Sequence, residues 1–446
     1  MAVVNRDLEE VQNSGRKHVV IIGAGIVGVS SAVWLQRAGH EVTLIDKGGP
    51  ASGTSYGNGG VLTTIGVVPV TVPGLLGKVP KMLLDPDQPL FLRWSYLPRL
   101  LPWLLRYLSH ATAGEVERIS KALAPLLQDS VEQHKALSAR TKAARFVHDC
   151  DYVYAYDSAA AARADAFGWN VRSRRGCRWS EMDAAAFQDY DPVFAGQVGY
   201  AHVSPDNGRI SDPGAYVVAL ADHVVEQGGR VLQAEALDLE ISGEAVTAVE
   251  TSQGRIACDE LLLAAGVWSG PLARKLGVQP DLESERGYHV EFINPSVMPR
   301  AAMMMAAEKF VITPMEGRLR AAGIVEFGGL EKPPQQAGFD LLIRQVKQKM
   351  PGLTWDRIDT WMGHRPATSD SIPLIGKGGP CRNAWFGFGH HHVGLTAGPK
   401  TGRILADCIS GVPTNVDLGV YNPDRFSGKP DRFSGKPDQF SGKKES

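Results

Sequence analysis

Gly23, Gly25 and Gly28, with Asp46 further along the chain, are residue types at a spacing that can hold a dinucleotide. Gly23 permits a tight turn. Gly25 lets the backbone approach a pyrophosphate where a Cβ would collide with it, and Gly28 lets the following helix pack close to its sheet. Ile26 and Val27 open that helix, whose unpaired N–H groups and partial positive charge suit phosphates. Asp46 is placed to accept hydrogen bonds from a ribose and to disfavour a 2′-phosphate. The alternative is a glycine-rich turn with no ligand. The spacing alone does not separate FAD from NAD.

The flanking elements complete a βαβ unit. A β-branched run from His18 to Ile22 predicts a buried strand. Val29, Ala32, Val33 and Leu35 predict a helix, and Val42 to Ile45 predicts a second strand ending at Asp46. The small, polar stretch 48–60 then follows, with Lys47 before it and Val61 after it. Its glycines allow close approach to a diphosphate or a flat ring, the alternative being a solvent loop. A second strand–turn–helix pattern comes late in the chain. Ala384 to Phe388 predicts a strand, Gly389 to Gly402 is glycine-rich, and a helix is predicted to about Ile409. Such a turn aims backbone N–H groups at an electron-rich atom.

The bulk composition is that of a globular protein with a large core. The chain has 446 residues, more than one typical domain, and 43% of them are hydrophobic. Its 47 basic and 48 acidic residues leave a formal net charge of −1, which favours neither nucleic acid nor a general acidic partner. Cysteines at 150, 177, 258, 381 and 408 are odd in number and contain no CxxC, so reduced thiols and a cytoplasmic setting are expected. The first seventeen residues lack the apolar core of a signal peptide, and no run is long enough to span a membrane.

Between the glycine-rich segments the character changes. Prolines 69, 73, 80, 86, 89, 98 and 102 divide residues 65–112, which read as helices packing on a substrate domain or as an interfacial membrane contact. Residues 114–145 predict one amphipathic helix that Pro125 kinks or divides. Residues 150–210 predict short strands, with turns at Asp191-Pro192 and Ser204 to Gly208. A helix follows from Pro213 to Gln227, capped by Asp212, and then a meander of strands returns to Leu261. Strands from Tyr288, Phe310 and Leu319 precede a helix from Phe339 to Met350. The repeats from Asp424 to Lys443 predict an unpacked tail, with Phe426, Phe433 and Phe440 as alternative docking anchors.

In order along the chain come the fingerprint with Asp46, Ala265-Gly266-Val267-Trp268, Gly363-His364-Arg365-Pro366 with Ile372 to Gly376, and Gly389-His390. On these motifs residues 18–412 resemble the FAD-dependent amine oxidoreductases of the D-amino acid oxidase superfamily. Gly28 to Ala32, Thr313 to Gly317 and Glu326 to Gly329 make the bacterial D-amino acid dehydrogenase branch the nearest likeness. The resemblance implies an α/β fold in which a Rossmann-like FAD-binding domain interleaves with an α+β substrate domain. The expected FAD-binding segments are 17–64, 211–282 and 361–414, the substrate segments 65–210 and 283–360, and the tail 415–446. It also implies non-covalent FAD and oxidation of a C–N bond, with hydride passing to flavin N5 and the imine hydrolysed to a 2-oxo acid and ammonia. Carried over by position, Gly23, Gly25, Ile26, Val27, Gly28 and Asp46 form the ADP-binding set. Lys47, Ser55, Asn58, Gly59, Gly60 and Val61, with Ala265, Gly266, Trp268 and Arg365, contact the diphosphate and ring. Gly389, His391, His392, Val393, Gly394, Leu395 and Thr396 match the loop at the N1–C2 edge, where N–H groups would stabilise an anionic reduced ring. Three consecutive histidines, 390 to 392, depart from the usual branch pattern.

An amino-acid substrate needs a carboxylate anchor, for which a guanidinium fork fits best. Arg365 and Arg286 are the candidates, with Tyr288 able to bond a carboxylate oxygen and a structural ion pair as the alternative for each arginine. His289, His390, His391 and His392 are candidates to titrate near neutral pH. No metal is expected, because adjacent histidines point apart along a backbone. Three functions remain open: an FAD dehydrogenase passing electrons to a quinone or another acceptor, an oxygen-using oxidase for sarcosine, glycine, proline or hydroxyproline, and a nucleotide-binding protein without this chemistry. No nucleic-acid partner is expected; a peripheral contact with the inner face of the membrane stays open.

Overall fold

The computed structural model describes residues 15–75, 77 and 89–427. One sheet has six strands in the order Leu374–Lys377, Ala384–Phe388, Glu260–Leu263, His18–Ile22, Glu41–Asp46 and Arg230–Gln233. Neighbours run parallel except the first pair. Val19, Val20 and Ile21 are fully buried, as a central parallel strand requires. The helix Ile26–Arg37 starts directly beyond this strand and packs on the helix Gly394–Ile409. Glycine is needed at two positions there. A Cβ on Gly28 would lie 1.9 Å from the Gly23 carbonyl oxygen, and one on Gly402 would lie 2.6 Å from the Ser31 nitrogen. The meander Ala236–Ser242, Ala245–Thr251 and Gly254–Ala257 forms its own sheet, and its Leu239, Val246 and Val249 pack with Val20, Ile22 and Leu261.

The second sheet has ten strands. Eight run in the order Arg357–Thr368, Leu282–Ile293, Arg318–Phe327, Phe310–Met315, Ala302–Met305, Val147–Tyr156, Tyr200–Ile210 and Val61–Leu62. Leu90–Leu92 and Ser180–Asp183 attach at its side. The helix Leu97–Ser109 continues through Pro102 and buries Leu100, Trp103 and Tyr107 against Phe327 and Ala367. No helix among the described residues is long and apolar enough to cross a membrane.

Several expectations change. The predicted helix 114–145 is two helices, Ala113–Leu127 and Ser130–Ser138; Pro125 stays inside the first, and the break follows it at 128–129. Ile119, Leu123 and Leu126 of that first helix share a core with Val19 and Ile21. Ser204 to Gly208 make no turn: the strand Tyr200–Ile210 runs through them, with a register shift opposite Cys150–Tyr152 and Asp206 at φ +61°. The turn-forming residues serve a β-bulge there. The boundary expected at 360/361 falls inside the strand Arg357–Thr368. Gly363, His364, Arg365 and Pro366 pair with Gly287, Arg286, Glu285 and Ser284, and the proline is tolerated because this strand lies at the sheet's edge.

Residues 418–426, expected in an unpacked tail, are packed. Tyr421 is buried and donates to the Ala122 carbonyl at 2.5 Å, Phe426 joins a core, and Arg425 pairs with Asp370 at 2.9 Å. Pro80, Pro86, Phe433 and Phe440 lie outside the described residues.

Candidate functional site

A cleft of about 1840 Å³ is lined from both large sheets. Gly23, Gly25, Ile26, Val27, Asp46 and Lys47 line one end. Ser55, Asn58, Gly59, Val61, Ala265, Gly266 and Trp268 continue the wall, as do Arg365 and residues 390–396. Gly28, Gly60 and Gly389 are set back from it: each supports a lining neighbour. Neither helix that opens onto the cleft, Ile26–Arg37 or Gly394–Ile409, has an acid in its first turn. Both N-termini therefore keep their positive character for an anionic ligand.

Asp46 ties this end of the cleft together. Its Oδ2 accepts from the Ala24 nitrogen at 2.9 Å, and its Oδ1 from the Gly48 nitrogen at 2.9 Å and Ser52 Oγ at 3.2 Å. Ser55 Oγ accepts from the Ile26 nitrogen at 2.9 Å, and a Cβ on Gly25 would come within 3.2 Å of that hydroxyl. Lys47 is mostly exposed and pairs with Glu235 at 3.0 Å.

The ten-stranded sheet holds the loop 56–60 by its carbonyls. His289 Nδ1 reaches the Gly57 oxygen at 3.0 Å, Thr313 donates to the Gly59 oxygen at 2.6 Å, and Arg320 donates to the Tyr56 and Asn58 oxygens. A Cβ on Gly57 would meet the Trp361 ring at 1.8 Å. Thr396 donates to the Val61 carbonyl at 3.1 Å and fastens the far glycine-rich turn to this loop.

A buried charge cluster lies in the same cleft. Glu285 Oε1 receives Arg365 Nη1 at 2.8 Å and His392 Nε2 at 2.9 Å, and Glu285 Oε2 lies 3.5 Å from His391 Nε2. Burial alone would raise the Glu285 carboxyl, but His392, His391 and Arg365 together hold it well below the usual carboxylate range. Contrary to expectation, the adjacent histidines converge: His391 sits at φ +52°, which turns both rings to one carboxylate. Arg365 supplies a fixed positive charge on that carboxylate and opposes a further cation. Its fork is completed by the Ile324 and Gly323 carbonyls, so Arg365 is committed to protein partners.

Other expected site residues are placed differently. Arg286 is fully buried, does not line the cleft, and pairs with Glu326 at 3.2 Å. Tyr288 lines the cleft, but its hydroxyl donates to Glu326 and accepts from the Gln335 nitrogen; burial first and Glu326 second push it up to about 12. His289 is buried behind Trp361, its ring stacked at 5.2 Å, and burial lowers it to about 3. His390 bonds Thr401 and is lowered by burial to about 4, and His391 to about 3. Burial thus keeps these three imidazoles neutral near pH 7, where the sequence suggested titration. Glu285 and Glu326 were missed. Glu326 has a signal, an acid at the end of the apolar run Ala321 to Val325 that needs a buried cation; Glu285 has none, because its strand also carries Glu283, Arg286 and Glu291.

Residues 18–408 match the family described as FAD dependent oxidoreductase. The chain belongs to this family. It is 40% identical to a D-amino-acid oxidase of Bradyrhizobium diazoefficiens, over 92% of this chain and 99% of that one. It is 31% identical to a D-amino acid dehydrogenase of Paramagnetospirillum magneticum, with the same coverage. In fold it resembles glycine oxidase from Geobacillus kaustophilus, at a TM-score of 0.71 and 20% identity over 92% of this chain and 99% of that one. As a member of the FAD-dependent oxidoreductases it is an enzyme with FAD as cofactor. The cleft fits that group: a glycine-bearing turn and two acid-free helix ends suit a diphosphate and an electron-rich ring edge, and Asp46 lines the same cleft.

Proposed function

We propose that this FAD enzyme oxidises the Cα–N bond of a D-amino acid. The observation carrying this reading is the convergence of two acid-free helix N-termini on one cleft lined from both sheets. In this reading Gly23 to Gly28, with Ser55, hold the diphosphate and Asp46 the ribose. Residues 393–396 face the ring's electron-rich edge, and the ten-stranded sheet presents the substrate. FAD, when bound, accepts the hydride. The chain contributes orientation and exclusion of water, because His289, His390 and His391 are too weakly basic to take a proton at neutral pH.

The names of the relatives support the D-configuration, and the 40% identity to an oxidase favours oxygen as a second reading beside a quinone or dye acceptor. The decisive experiment bleaches the yellow enzyme anaerobically with a panel of D- and L-amino acids, sarcosine and proline. Bleaching by D-amino acids is expected; bleaching confined to L- or secondary amines would overturn the substrate assignment. Peroxide yield in air, against dye reduction, then assigns the acceptor.

A cytoplasmic location with peripheral membrane contact belongs to the same proposal. Trp94, Leu101 and Leu105 stand exposed on and beside the helix Leu97–Ser109, next to Arg99 and Arg106. Flotation with anionic vesicles tests it, and Leu105→Glu should abolish any binding.

A further inference from the structure

Among the described residues three arginines are buried: Arg172, Arg286 and Arg320. Arg286 meets Glu326 and Arg320 meets Glu291. Arg172, at 6% exposure, meets no carboxylate within ion-pair distance among the described residues. Its guanidinium lies 4.7 Å from the Tyr154 ring centre and 4.5 Å from that of Trp169. Nε donates to the Ile65 carbonyl at 3.2 Å and Nη2 to the Tyr154 hydroxyl at 2.9 Å, while Nη1 has no protein acceptor among the described residues. The acid at the start of its helix, Asp165, is occupied by the Tyr156 hydroxyl at 2.8 Å. The ring faces offset part of the lost hydration, but they supply no counter-charge.

Arg172 lines the cleft that also holds Gly25 and Arg365, with Tyr152, Tyr154 and Phe167 around it. A buried fork with unused donors, open to a ligand cleft and with Asp165 near it but outside ion-pair distance, suits a planar carboxylate held by two parallel hydrogen bonds. Arg365 and Arg286 cannot serve equally, since each already holds a glutamate. We propose that Arg172 and the Tyr154 hydroxyl bind a carboxylate of the substrate. This rests on the reading of the cleft as an amino-acid oxidising site. The carboxylate is either the α-carboxylate common to all substrates or the side-chain carboxylate of an acidic one.

The test uses the FAD-loaded enzyme and its Arg172→Gln and Arg172→Lys variants. KM and kcat are measured for D-alanine and D-glutamate, and benzoate and acetate are titrated at constant ionic strength by their perturbation of the flavin spectrum. In Arg172→Gln, KM should rise at least about tenfold and anion binding should weaken as much, the size set by one lost charge-assisted pair. Arg172→Lys should recover part of this by keeping the charge without the fork; should Arg172→Gln fail to fold, the lysine variant alone must raise KM. A rise for both substrates assigns the α-carboxylate, and a rise for D-glutamate alone assigns the side chain. Unchanged KM and unchanged anion binding, with only a lowered melting temperature, would make Arg172 a structural clamp and overturn the proposal. If no amino acid bleaches the wild-type enzyme, the oxidase reading fails separately; the anion titrations then still decide, and a wild-type spectrum unmoved by either anion overturns the carboxylate site.

Discussion

Glu285 and Arg365 are direct cross-strand partners, and their side chains meet at 2.8 Å inside the cleft. Glu285 is almost wholly buried, so its charge depends on this partner and on His392. Removing Arg365 alone strands a buried carboxylate and should cost about 3–5 kcal/mol. Removing both charges, as Glu285→Gln with Arg365→Leu, should cost less than the sum of the single changes, with a coupling of about 1–3 kcal/mol. Urea denaturation of the four proteins in the cycle measures it. Additive losses would mean that the two side chains do not depend on each other.

The nucleotide turn should not tolerate a side chain. Gly28→Ala sets a Cβ at 1.9 Å from the Gly23 oxygen, which is backbone and cannot swing aside. Gly25→Val places bulk at the helix end beside Ser55. Both variants should purify without flavin, read as the ratio of absorbance at the flavin band to that of the protein. Full flavin in Gly25→Val would mean that the diphosphate lies elsewhere.

The contrast between these two sites explains what the sequence could say. The fingerprint is local: strand, glycines, helix and Asp46 lie within one βαβ unit, so type and spacing carry the geometry. Ion pairing is not local. Arg365 finds Glu285 across 80 residues of chain, and Arg286 finds Glu326 across 40, so an arginine's partner is invisible until strands are in register. Arg172 is not singled out by the sequence for a different reason: it lies close to Arg174 and Arg175 at the end of the helix Ala166–Arg174, which reads as an ordinary basic surface. Proline and glycine misled where tertiary pairing overrode them, at Pro366 on an edge strand and at Asp206 in a bulge.

Acid should unfold this protein over a defined range. His134, His289, His390 and His391 are buried, and burial lowers them from 6.5 to between about 3 and about 4. Below pH 6.5 the unfolded chain therefore binds protons that the folded chain refuses, and stability falls as pH falls. Each histidine contributes up to about 1.4 kcal/mol per pH unit until its folded value is reached. The melting temperature should drop steeply between pH 6 and about 4, and His134→Phe should make the decline shallower. His134 bonds Tyr216 and the Leu395 carbonyl at 2.9 Å each, so that variant also loses some stability at neutral pH. A melting temperature flat across this range would contradict the buried, neutral state.

Arg286 provides the sharpest separation of stability from substrate binding. The sequence offers it, with Arg365, as a candidate carboxylate anchor or a structural ion pair, and here both it and Glu326 are fully buried, and Glu326 also accepts from Arg93 and Gln335 at 2.7 Å. Arg286→Met removes the cation while keeping much of the volume, leaving Glu326 with Arg93 as its remaining charged partner. The expected result is a loss of about 3–5 kcal/mol in denaturation with KM within about twofold of wild type. A KM raised tenfold or more with unchanged stability would restore Arg286 as the anchor, and would require a substrate path to a fully buried side chain that does not line the cleft.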